Sequence, residues 1–78
     1  MKRVVLMGQK LDPVVSMMGA VVVSIADHIV VTESLEWRLT YVGIEPRWLL
    51  APGDLMAQGE TLGFANDTTA YVGLEYLL

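Results

Sequence analysis

The side chains able to do chemistry are few in this chain, and they are scattered. There is one histidine, His28, and no cysteine. Zinc hydrolases use three protein ligands and keep a fourth position for water, so His28 alone makes no such site. It stands in Ile25-Ala26-Asp27-His28-Ile29, a segment that predicts a hairpin with Asp27 in the turn, which makes it a surface histidine. Ser16, Ser24 and Ser34 carry no nucleophile-elbow or triad pattern around them. Asp54, Glu60, Asp67 and Glu75 offer paired carboxylates in principle, but any acidic chain supplies such pairs. Gly53, Gly59 and Gly63 lack the following helix that a phosphate-cradling loop needs. The expectation is a chain without catalytic residues, metal or cofactor. Binding chemistry is better represented. Arg47-Trp48-Leu49 follows a proline turn and joins residue types enriched at binding hot spots. These three are the candidate interface, with Trp48 divided evenly between core and surface.

Elements must position these residues, and the chain is short. Its 78 residues make one domain, 1–78. Domains of this size bury only about 60% of the surface their unfolded chain exposes. Disulfides are excluded and a structural zinc lacks ligands, so an efficient core or a partner must supply the stability. The chain is 54% hydrophobic, with a mean hydropathy of +0.50. That is high for so small an interior and points to a protein partner or self-association. A net charge of −4, with Lys2, Arg3, Lys10, Arg38 and Arg47 dispersed, argues against nucleic acid and against an anionic bilayer. The longest uncharged stretch, Val14 to Ala26, falls short of the roughly 20 residues of a spanning helix, so no membrane insertion is expected. The apolar run after Lys2 and Arg3 stops at Gly8, and Lys10 and Asp12 interrupt it, unlike a secretory leader.

The periodicity is that of strands. Val-rich segments recur at Arg3 to Met7, Val14 to Ser16, Ala20 to Ile25 and Ile29 to Thr32, and β-branched side chains suit a pleated surface. Glu36 to Tyr41 alternates strictly, placing Trp37, Leu39 and Tyr41 toward a core and Glu36, Arg38 and Thr40 toward solvent. Turn signals separate these segments, among them Asp12-Pro13, Glu45-Pro46, Pro52-Gly53-Asp54 and Asn66-Asp67. The pattern predicts an all-β, antiparallel, barrel-sandwich or hammerhead-like domain. A helix has room only at Leu55 to Gln58, for about one turn. The loop after Pro52 is expected to turn two apolar side chains inward, and the methionines Met7, Met17, Met18 and Met56 to fill gaps.

One stretch is more specific. Gly53-Asp54-Leu55-Met56-Ala57-Gln58-Gly59-Glu60-Thr61-Leu62-Gly63 resembles the Gly-Asp-x-Val-x-x-Gly-x-x-Ile-Gly segment of the lysostaphin-type, or LytM-type, zinc endopeptidases. Similar Gly-Asp…Gly loops occur in biotinyl and lipoyl carriers and in sugar phosphotransferase domains. The flanks narrow the choice. Asp12-Pro13-Val14-Val15-Ser16 with Gly19-Ala20-Val21-Val22 is similar to that family's Gly-x-Pro-Val-x-Ala…Gly-x-Val segment, and the likeness runs from about residue 12 to 78. Tyr41-Val42-Gly43-Ile44 stands where the family has Tyr-x-His-Leu, and Tyr71-Val72-Gly73-Leu74-Glu75 where it has His-x-His-Phe-Glu.

The resemblance therefore implies a degenerate member. The family's zinc ligand and catalytic histidines are replaced by Tyr71, Gly73 and Gly43, and the first eleven residues offer no upstream His or Asp ligand. It implies a pseudoenzyme acting as a protein-interaction or structural module, in a bacterial envelope or a phage particle. The two glycines are expected to open the former groove. The alternative is a carrier domain, which needs a modifiable lysine at a hairpin tip; Lys10, after Gln9, is the candidate.

Overall fold

The computed structural model describes residues 2–6, 12–66 and 70–78. Among them there is no helix. Nine strands follow one another: β1 (Lys2–Leu6), β2 (Pro13–Val15), β3 (Ala20–Ala26), β4 (Ile29–Glu33), β5 (Trp37–Val42), β6 (Ile44–Pro46), β7 (Leu55–Met56), β8 (Thr61–Ala65) and β9 (Tyr71–Tyr76). All pairings are antiparallel. A six-stranded sheet has the order β1-β9-β5-β4-β3-β7, and a three-stranded sheet the order β2-β8-β6. The end strands of the larger sheet do not pair with each other, so the domain is an open two-sheet arrangement and not a closed barrel.

The core forms where the two sheets face each other. Val22, Val30, Leu39, Tyr41, Met56 and Val72 come from the larger sheet, and Val14, Ile44, Leu62 and Ala65 from the smaller; all are buried. The alternation in β5 holds: Leu39 and Tyr41 are fully buried, while Trp37 is half-buried and meets the edge of Tyr76 at 5.1 Å between ring centroids. Asp27 (φ 43°) and His28 (φ 67°) close the β3–β4 hairpin, both left-handed as a two-residue type I′ turn requires. The β3–β4 register shifts between Val22 and Ser24, leaving Val23 as an extra residue that increases the local twist.

At residues 55–58, the one place where a helix had room, Leu55 and Met56 form the short strand β7 and the chain then enters a turn. Met56 turns inward, but Leu55 points out, 77% exposed, so one side chain and not two enters from this loop. Period two explains this: Ala20 pairs with Met56 on the core face, and Val21 pairs with Leu55 on the other. Met56 and Met18 pack in or against the core, whereas Met17 lies at the surface. Met7 lies outside the described residues.

Candidate functional site

Tyr71 and Gly73 alternate on β9 and share one face of the larger sheet. Across the ladder Gly73 faces Thr40 and Tyr71 faces Val42. Gly43 follows directly on β5 and lies against Ala70, beside Tyr71 at the start of β9, whereas Gly73 stands three residues further along the ladder, opposite Thr40. On the β5 and β4 side, the described residues that occupy the neighbouring rows are Thr40, Val42, Val31 and Ile29, none of them a typical metal ligand. One row further on, Arg38 donates from Nε to Glu33 (2.9 Å) and from Nη1 to Glu75 (3.3 Å). The hydrogen bond to Glu33 and that carboxylate's charge raise the Arg38 pKa. Glu75 is thereby engaged in an ion pair.

Gly43 departs from expectation. No groove opens there. Its φ is +79°, and a Cβ would lie 3.1 Å from the Ala70 Cα, so the backbone of the chain entering β9 fills the volume. The residue makes a corner: its N–H donates to the His28 carbonyl (2.9 Å), as does that of Ile44 (3.0 Å), and its carbonyl accepts from Asn66 N–H. His28 itself sits at the hairpin turn, half-exposed, with Nε2 3.1 Å from Glu45 Oε2. Among the described residues no three of His, Cys, Asp and Glu converge as a metal-binding group.

Ser16 and Ser34 are used locally, and Ser24 lies exposed on β3. Ser16 is buried and donates to the Met18 carbonyl (2.7 Å). Ser34 Oγ accepts from Trp37 N–H (3.1 Å) and donates to Met18 Sδ (3.7 Å). Tyr41 Oη, in the core, accepts from Met17 N–H (3.1 Å), and burial raises its pKa against that hydrogen bond. Thr32 Oγ1 is buried with no hydrogen bond of ordinary length, although it lies near enough to the Tyr41 phenol to lower that group's pKa slightly against the effect of burial.

The candidate interface is the most distinctive surface. Arg47 to Leu50 form a turn closed by Leu50 N–H to the Arg47 carbonyl (3.1 Å). Trp48 is 88% and Leu49 76% exposed, which resolves Trp48 to the surface. Leu49 adopts φ +70°, a left-handed conformation that non-glycine side chains disfavour. Arg47 does not project with its neighbours. It reaches back, donating from Nη1 to Glu60 Oε2 (3.2 Å) and to the Thr61 carbonyl (3.1 Å). Its N–H donates to the Leu62 carbonyl in the smaller sheet. A second turn follows, in which Ala51 N–H donates to Asp54 Oδ2 (3.0 Å) and Gly53 N–H donates to the Val22 carbonyl in the larger sheet (2.7 Å). The segment 48–53 is thus clamped at one end to each sheet.

The part Glu60 plays in holding this region is what sequence reasoning missed. Glu60 accepts from Ala57 N–H through one oxygen (3.0 Å) and from Arg47 through the other, and these two hydrogen bonds lower its pKa, the Ala57 one most. Its signal was its place at the end of the Met56-Ala57-Gln58-Gly59-Glu60 turn, where a carboxylate can cap. Lys10, the carrier candidate, and Asp67 lie outside the described residues. No helix among the described residues is long and apolar enough to cross a membrane. Comparison with family models, with curated proteins and with solved structures gave no match.

Proposed function

We propose that this chain is a non-catalytic interaction or structural module built on the plan of the lysostaphin-type endopeptidases and acting in a bacterial envelope or phage assembly. The observation that carries the reading is the Trp48-Leu49 turn. A tryptophan and a leucine are held in solvent on a segment tied to both sheets, with the leucine in a disfavoured backbone conformation. Strain of about 1–3 kcal/mol kept at an exposed apolar tip suits a site selected for contact rather than for stability. Two further observations support it. The positions where the resembled family keeps histidines hold Tyr71, Gly73 and Gly43, which offer no imidazole. The packing of Ala70 against Gly43 suits a corner rebuilt for structure.

Two measurements test this. The purified chain, equilibrated with zinc and dialysed, is expected to retain no stoichiometric metal and to leave peptidoglycan cross-bridges uncut. A photo-reactive side chain placed at Trp48 in the native source is expected to give one dominant polypeptide adduct, with this chain or another. Bound zinc with cross-bridge cleavage would overturn the reading, as would adducts spread over unrelated proteins.

A further inference from the structure

We propose that β1 is an exchangeable strand, and that the edge of β9 it covers also receives β1 of a second copy. Two chains then associate by reciprocal exchange. The inference goes beyond the Trp48-Leu49 turn and does not rest on it. What covers this edge is shown by the fold itself. Lys2 to Leu6 pair along β9 from Glu75 to Tyr71 with no register shift, and β5 holds the other side of β9. An exchanged strand meets a site already fitted to it, so no new surface has to be complementary.

The register identifies the occupant. Glu33, Arg38, Glu75 and Lys2 follow one another across β4, β5, β9 and β1, and their charges alternate in sign. Arg38 bonds Glu33 and Glu75, and the ladder sets a second basic residue opposite Glu75 on the β1 side. Val4 falls opposite Gly73, where β9 carries no side chain. A second copy's β1 brings the same residues in the same order. A slip of one residue would turn every side chain to the other face, so an arbitrary extended segment does not serve.

Connectivity makes β1 the strand to exchange. Within these 78 residues it is joined to the other strands only through residues 7–12. Its ladder joins Lys2 to Glu75 and Leu6 to Tyr71, a wider separation in sequence than any other ladder among the described residues. The β3–β4 and β4–β5 hairpins close much shorter loops, which costs less entropy. The β1–β9 ladder is therefore the last to close, and the β1 strands of two copies compete for each waiting edge. That edge is six residues long and free of proline and bulges, the kind that pairs readily when uncovered. Other sheet ends offer less: β7 has two residues, and β2 and β6 have three each with a proline.

Introduced thiols report the pairing, because the chain has no cysteine of its own. Val4→Cys and Gly73→Cys are placed in separate intact chains, which are unfolded, mixed, refolded together at about 0.2 mM and oxidised. In exchanged dimers the two positions lie directly opposite, at an effective concentration far above that in solution. The mixed disulfide is expected in at least tenfold excess over either like pair. Lys2→Cys with Glu75→Cys, also opposite in the ladder, repeats the test where Gly73→Cys does not fold. With Val4→Cys and Gly73→Cys in one chain, refolding at about 1 µM is expected to give an internal disulfide, and at about 1 mM a covalent dimer. Mixed disulfides no more frequent than chance collision gives overturn the proposal. So does an excess of chains joined through position 4, which would mean that β1 edges pair with each other. Either failure leaves the interaction-module reading standing if position 48 still gives its single adduct.

Discussion

At Gly63 the smaller sheet leaves no volume for a side chain. A Cβ there would overlap the Glu45 carbonyl and lie 2.9 Å from the Pro46 Cα, both backbone atoms of the adjacent strand β6. Gly63→Ala must therefore push β6 away from β8, and the expected loss is about 2–4 kcal/mol in denaturant unfolding. Gly59→Ala is the matched control, since its Cβ would meet open space and only its φ of +86° opposes the change, at about 1 kcal/mol. The same reasoning bears on Gly43. Restoring a histidine there combines a left-handed backbone with contact on Ala70, so Gly43→His is expected to lower stability by about 2–4 kcal/mol and to leave the protein without metal affinity. Thr32 shows the opposite balance. Its buried hydroxyl makes no hydrogen bond of ordinary length and only a weak approach to the Tyr41 phenol, so Thr32→Val is expected to change stability by no more than about 1 kcal/mol in the same measurement.

Elements differ in how far the sequence disclosed them. Strands β1 to β5 follow from β-branched runs and from strict alternation, because those side chains both prefer and announce a pleated surface. Strands β6 to β9 did not declare themselves. β6 contains Pro46, β7 is two residues long, and β8 and β9 carry Gly63 and Gly73 at their centres, so each lacks a clean periodic run. The β3–β4 hairpin was legible, yet its residues are not the best for its geometry. A type I′ turn favours Asn-Gly, and His28 holds φ 67° with a full side chain. His28→Gly relieves about 1–2 kcal/mol of left-handed strain and gives up an exposed contact with Glu45 worth about 0–1 kcal/mol. The net expectation is a small rise in the denaturation midpoint with an unchanged slope. The β7–β8 turn carries its own pH dependence. Glu60 has a folded pKa below its ordinary 4.5, so the stability it contributes is present above that value and is lost as pH falls through the folded pKa. Glu60→Gln is expected to flatten the acid limb of stability below about pH 4.5.

For the whole molecule, the sequence foretold a small antiparallel β domain, barrel-sandwich or hammerhead-like, but neither its division into two sheets nor what joins them, because the joining contacts link residues far apart in the chain. The Arg47–Glu60 pair spans 13 positions and the Met17–Tyr41 hydrogen bond 24, and no local period encodes either. Tyr41 tests that joining at the centre. Its ring is fully buried among residues of both sheets, and its oxygen takes the N–H of Met17, in the segment between β2 of the smaller sheet and β3 of the larger. Tyr41→Phe keeps the ring and leaves that N–H without its acceptor, so the expected loss at neutral pH is about 1–3 kcal/mol. Burial also raises the Tyr41 pKa above its ordinary 10.0. The unfolded chain then releases this proton at lower pH than the folded one. The corresponding stability is complete below pH 10.0 and is lost as pH rises through the folded pKa. The native protein should therefore lose stability on the alkaline side faster than Tyr41→Phe, with the two unfolding midpoints converging as pH increases. Parallel curves would mean that the phenol lies in water, and that the sheets do not close over it.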